Sequence, residues 1–112
     1  MGEGIPCKPV EVSDDFYANR KQIYHYTLET FGQSQAKRYQ EQISESLELL
    51  NKSYLSFPEC RYLATKKRIY RNIVLASHLI IYRITGVRIE VLDIIHAASS
   101  VRRIKGVRKI HI

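Results

Sequence analysis

Long apolar runs are missing from this sequence. None approaches the roughly 20 residues that cross a bilayer, so a membrane-spanning helix is excluded and no membrane partner is expected. The first residues, Met1-Gly2-Glu3-Gly4-Ile5-Pro6, carry no basic patch ahead of an apolar stretch. No signal peptide is expected, and the cytoplasm is the expected compartment. Cysteine is scarce: Cys7 and Cys60 form no Cys-x-x-Cys pair and no Cys/His cluster with metal spacing. That argues against a disulfide framework and leaves two structural or incidental thiols. Internal repeats and low-complexity stretches are absent, as are the Gly-rich phosphate loop, the Gly-x-Ser-x-Gly elbow and the His-Glu-x-x-His helix. Acids are few in the second half, only Glu59, Glu90 and Asp93, which argues against a two-carboxylate hydrolase or a Mg²⁺ site. Neither a metal nor any other cofactor is expected.

What is present is a single-domain length, 112 residues, with charge gathered at one end. Residues 1–56 hold six Lys/Arg and eight Asp/Glu, a net −2; residues 57–112 hold twelve and three, a net +9. Segregation on this scale creates a field that attracts phosphate or an acidic peptide. The plainer alternative is a soluble basic surface.

Residues 1–8, with Gly2, Gly4 and Pro6, are expected to be a flexible leader. Pro9 to Val12 has the alternation of a short edge strand. Ser13 is the expected N-cap of a first helix running to Phe31, with Asp14 and Asp15 favoured in its first turn by the helix dipole. Phe16, Ile23 and Thr27 share one face, while Arg20, Lys21 and Glu29 are placed to reach water. Gly32 ends the helix. Ser34 is the expected cap of a second one, whose apolar stripe is Ala36, Tyr39, Ile43, Leu47 and Leu50. A link this short makes an antiparallel hairpin. Residues 51–65 read as a loop. The period then changes to two. Ile69 to Leu75, Leu79 to Ile84 and Arg88 to Ile95 read as three strands joined by turns at Ala76-Ser77 and Gly86, an antiparallel meander with Ile89/Val91 opposed to Leu92/Ile94. The near-continuous run from Leu79 suits a strand covered on both faces. The fold class is therefore α+β, in the order β-α-α-β-β-β, with a helical hairpin on one face of a small twisted antiparallel sheet. From Ser99 onward Arg102, Arg103, Lys105, Arg108 and Lys109 alternate with apolar residues, a pattern open to either a short helix or an edge strand.

The residues left for chemistry are basic and aromatic: Lys66, Lys67, Arg68, Tyr70, Arg71, His78, Tyr82, Arg83 and His96. Strand periodicity puts Arg71 and Tyr70 on opposite faces. Arg83, between Tyr82 and Ile84, must meet solvent, a groove or a partner, unless it or Arg71 is paired within the molecule to Glu90 or Asp93. His78 falls in a turn and is expected at the surface. A metal-free ribonuclease could use such a set, cations stabilising the phosphorane while His96 moves protons. The same set also serves plain binding of an acidic protein or a phosphate backbone.

The chain resembles the RelE/ParE family of type II toxins over residues 9–98. The resemblance is carried by Val10-Glu11-Val12-Ser13, Ile23-Tyr24-x-Tyr26, Phe31-Gly32-x-x-x-Ala36 with Tyr39, and Leu47-x-x-Leu50. It continues in Tyr70-Arg71, Leu79-Ile80-Ile81-Tyr82-Arg83-Ile84 and Ile89-x-Val91-Leu92-x-Ile94-Ile95-His96. Residues 9–98 would be the toxin domain and 99–112 a basic C-terminal tail. The resemblance implies a cognate acidic antitoxin that masks the basic surface and the tail's apolar residues. It implies one of two targets: DNA gyrase, inhibited without nuclease chemistry, or messenger RNA cut on the ribosome. The Phe-Gly-x-x-x-Ala turn and terminal Ile-His are more ParE-like, the gyrase branch. A nuclease would use His96, Arg83 and Arg71. Target or antitoxin contacts would fall on Lys66, Lys67, Arg68, Arg71, Arg83, Arg102, Arg103, Lys105, Arg108 and Lys109. A non-toxic basic binding module is the remaining alternative.

Overall fold

In the computed structural model, which describes residues 4–112, Ser13 starts the first helix and ties it to the sheet. Its Oγ accepts from the Phe16 N–H at 3.0 Å and donates to the Leu92 carbonyl. The expected cap is thus also a link between helix and strand. The elements run β1 (Val10–Val12), α1 (Asp14–Phe31), α2 (Gln33–Glu48), α3 (Leu50–Ser53), β2 (Tyr70–Val74), β3 (His78–Ile84), β4 (Ile89–His96) and α4 (Val101–Gly106), followed by a 3-10 turn at Val107–Lys109. The expected order β-α-α-β-β-β holds, with two short additions: the single turn α3, which reaches into the stretch 51–65 expected to be a loop, and α4 at the end. Of the leader expected over residues 1–8, residues 1–3 lie outside the described residues. Residues 6–8 are tied to the fold: the Tyr54 hydroxyl donates to the Pro6 carbonyl at 2.6 Å, and the Lys8 N–H to that of Asn51 at 3.0 Å.

One residue, Gly32, both ends α1 and begins α2, where a longer link capped by Ser34 was expected. Its φ of 93° and ψ of 174° fall in a region essentially reserved for glycine. Nothing lies within 4 Å of where a Cβ would sit, so a side chain there costs conformational strain alone. Gly32→Ala is expected to lower the unfolding free energy by roughly 2 kcal/mol, read as a drop in melting temperature. An unchanged melt would mean that the hairpin turn relaxes freely into another conformation. Arg20, expected in water, instead clamps the two helices. Its guanidinium donates to Gln40 Oε1 at 2.8 Å, the Gln40 carbonyl at 3.0 Å and Ser44 Oγ at 2.6 Å.

The sheet has the order β1-β4-β3-β2. β2, β3 and β4 form the expected antiparallel meander, but β1 joins β4 in parallel, so the sheet is mixed. Parallel neighbours need a long connection, and everything between β1 and β4 supplies it. The β3–β4 register slips once: Ile81 faces Asp93 and Tyr82 faces Val91, leaving Leu92 as an extra residue. This bulge resets the alternation. Ile94 joins Ile89 and Val91 in the core under the helices, while Leu92 turns to the other face. The expected pairing of Leu92 with Ile94 on one face fails for that reason.

Both faces of the sheet are covered. On one, Phe16, Ile43 and Leu50 of the helices pack on Ile73, Ile80 and Tyr82. On the other, Cys60 and Leu63 of the 58–69 loop join Ile104 and Val107 of the C-terminal segment over Ile81, Leu92 and Ile95. The helical alternative for the tail is therefore the observed one. Its apolar residues Ile104 and Val107, expected to await an antitoxin, are instead buried against the sheet. Cys60 is a packing thiol, pushed up to about 11 by burial and by the Glu59 charge, and Cys7 is exposed and unpaired. Among the described residues no helix is long and apolar enough to cross a membrane.

Candidate functional site

Arg83 faces the second core, where its guanidinium is consumed by the protein itself. It lies 2.7 Å from Glu90 and donates to the carbonyls of Arg108 at 3.3 Å and Ile110 at 3.1 Å. Its charge also sits 5.8 Å from the centre of the Tyr70 ring. Arg88 completes the arrangement, 2.8 Å from the other Glu90 oxygen. Burial alone would push Glu90 up, but the hydrogen bonds and charges of Arg83 and Arg88 hold it below the usual carboxylate range. Of the alternatives open for Arg83, pairing with Glu90 is the observed one. Arg71 is used differently: it donates to the carbonyls of Leu55, Phe57 and Arg68 at 3.0–3.1 Å, fastening the loop before β2.

Neither arginine is near His96. Tyr82 and Arg83 face Arg71 and Tyr70, whereas His96 faces His78 at the other end of β3. Five residues at about 3.4 Å each separate His78 from Arg83, so the two ends stand roughly 17 Å apart. Lys66, Lys67 and Arg68 are exposed on the turn before β2, with Arg68 3.7 Å from Glu59. Arg102, Lys105, Arg108 and Lys109 are exposed on the C-terminal segment, and Arg103 reaches round the end of the sheet.

What His96 does meet is a groove. Phe16 is the one buried residue of α1, and beyond it Ile23 and Thr27 are only half-buried, so the tip of the hairpin stands away from the end of the sheet. The space beneath has a volume of about 790 Å³. Ile23, Tyr26 and Phe31 of α1 line one wall, Arg38, Tyr39 and Gln42 of α2 another, and His78, Ile94, Ile95, His96 and Arg103 the sheet side. The bulge at Leu92 makes this possible, since strict alternation would have turned His96 to the other face. Tyr39 Oη lies 2.7 Å from His78 Nδ1, and the rings of His78 and His96 are 5.5 Å apart. Burial raises the Tyr39 phenol above its ordinary value; burial and the neighbouring His96 hold His78 below its own. Both shifts favour the neutral forms, and a hydrogen bond joins phenol and imidazole. The Ala98 N–H donates to His96 Nδ1 at 3.0 Å, leaving Nε2 to meet a partner.

The rim is apolar and open: Tyr26 is 65% exposed and Phe31 58%. Apolar walls with a few converging polar groups are the general features of a ligand or peptide site. Sequence reasoning found His96 but placed Tyr39 in a packing seam and His78 at the surface; His78 is instead half-buried against Tyr39. Arg38, Tyr26 and Phe31 were not singled out as site residues. The available signal was a pair of large aromatic residues, Tyr26 and Phe31, lying beside the Phe16–Ile23–Thr27 stripe with no core of their own to fill.

A family model described as the ParE toxin of the type II toxin–antitoxin system parDE matches residues 10–101. No curated protein matches the chain in sequence. Among solved structures, a chain of the chromosomal ParDE toxin–antitoxin system from P. aeruginosa is similar, with a TM-score of 0.67 at 17% identity. The match covers 82% of this chain and 98% of that one.

Proposed function

The chain belongs to the ParE toxin family of type II toxin–antitoxin systems, and on that footing we propose that it arrests growth in the cytoplasm by inhibiting DNA gyrase. The observation that carries this reading against RNA cleavage is the dispersal of the nuclease set. Arg71 and Arg83 sit roughly 17 Å from His96 along the sheet and are spent on carbonyls and on Glu90. A transition-state clamp needs cations within hydrogen-bond distance of one phosphoryl group, and these cannot converge on one.

A toxin of this family has a cognate antitoxin as its partner. The groove under the hairpin suits that partner's neutralising segment. Tyr26 and Phe31 offer exposed aromatic anchors of the kind that dominate interface energies, and Arg38 and Arg103 offer charge to an acidic chain. One observation favours the second reading, cleavage of messenger RNA on the ribosome: His78, His96, Tyr39, Arg38 and Arg103 line one groove.

The deciding experiment measures gyrase supercoiling and ribosome-bound messenger RNA integrity with the purified toxin and its His96→Gln variant. Inhibited supercoiling with intact message, unchanged in the variant, is the expected result. Cleaved message that the variant no longer cuts would overturn it.

A further inference from the structure

The sheet divides the protein into two layers of very different charge. Residues 13–57, the helical layer, hold five Lys/Arg and six Asp/Glu. The opposite layer is built from two segments far apart in sequence, 58–69 and 99–112, which meet in the second core. Together they hold nine Lys/Arg, with Glu59 as their sole acid. All nine cations are exposed, and among the described residues only Arg68 has an ion-pair partner within 4 Å, Glu59 itself. Arg103 lines the groove; the other eight belong to this layer alone.

A surface selected only for solubility mixes the two signs, as the helical layer does. Here the fold gathers like charge against its own repulsion, which asks for an anionic partner. Most of the layer's larger apolar residues point inward: Leu63, Ile104 and Val107 are buried and Ile110 half-buried, while Val101 and Ile112, each 41% exposed, stay at its margin. An acidic protein partner is held mainly by apolar and aromatic anchors, and the more exposed aromatic pair, Tyr26 and Phe31, lies on the other side of the molecule, at the rim of the groove. A phosphate backbone needs no anchors, only cations. Single-stranded nucleic acid needs exposed rings on which bases stack. The exposed tyrosine of this layer, Tyr62, already carries the Arg61 guanidinium at 5.2 Å from its centre.

We propose that this basic layer binds the phosphate backbone of duplex DNA, without sequence preference, while the groove remains free for a protein. The inference is independent of gyrase as the target and is tested without it. The test is titration of the full chain against a short duplex of arbitrary sequence at several salt concentrations. Engagement of about five phosphates gives a slope of log K against log salt near −4.5, roughly a 500-fold loss from 50 to 200 mM. Charge reversal at Lys66, Lys67, Lys105 and Lys109, four exposed residues with no side-chain hydrogen bond among the described residues, should weaken binding at least 100-fold. Reversal of Lys21 and Lys37 on the helical layer should change it less than threefold. Equal loss per charge reversed in the two variants would reduce the effect to net charge and overturn the proposal. Tighter binding of single-stranded RNA, or displacement of the duplex by equimolar polyglutamate, would overturn it too. Gyrase inhibition by the same variants is scored separately, so either proposal can fail alone.

Discussion

Replacing Glu90 with alanine should destabilise the protein by about 3–5 kcal/mol and loosen its C-terminal segment. The Glu90 side chain is 8% exposed and that of Arg83 14%, and Arg88 closes the other carboxylate oxygen. Removing one member of such an arrangement leaves charge buried without a counterion, which costs far more than the intact pair contributes. In a domain of this size each kcal/mol moves the melting temperature by roughly 4 °C or more, so a fall of well over 10 °C is expected. Arg83 also holds the carbonyls of Arg108 and Ile110, so hydrogen exchange over 104–110 should rise in the variant. The pH dependence has a definite sign. A carboxylate held below its unfolded value contributes stability that is fully present above the unfolded pKa and is lost as pH falls through the folded one. The gap between parent and Glu90→Gln should therefore be constant from pH 6 to 8 and close below about pH 4. A variant within 1 kcal/mol of the parent would sink the account of a buried, mutually dependent triad.

That triad was partly legible beforehand. A turn at Gly86 sets Arg83 opposite Glu90 by counting alone, and pairing between them was one of the two alternatives open. The bulge was not legible, because nothing in Val91-Leu92-Asp93-Ile94 marks which of four successive buried residues will be the extra one. Yet the bulge decides the site: it turns His96 toward Tyr39 and His78 and away from the basic layer. The same limit hid the second core. Ile104, Val107 and Leu63 look, one by one, like solvent-exposed apolar residues in basic surroundings; only the sheet's uncovered face gives them a reason to be buried. The hairpin was clear because its signals are local: Ser13, Gly32 and the α2 stripe each act within a few residues. The groove was obscure because it is a gap between a helix tip and a strand end, which no local pattern encodes.

The groove carries the other large expected effect: Tyr26→Ala combined with Phe31→Ala should leave the toxin active but beyond neutralisation. Both side chains are more than half exposed, so truncating them removes little of the folded core, and the melting temperature should stay within a few degrees of the parent. Each exposed ring that a partner covers is worth about 2 kcal/mol or more at an interface centre, so the pair should weaken antitoxin binding roughly 1,000-fold by calorimetry. In cells the consequence is opposite to that of most damaging substitutions. Co-expressed antitoxin should protect against the parent toxin and fail against the double variant. A second substitution set separates the apolar and charged contributions: Arg38→Glu with Arg103→Glu should slow association and make it less salt-dependent, because rim charges act chiefly on encounter. If the double aromatic variant is still neutralised with parental affinity, the antitoxin does not occupy this groove. The basic layer would then be the surface it masks, and both the groove assignment and the division of partners between the two faces of the sheet would fail together.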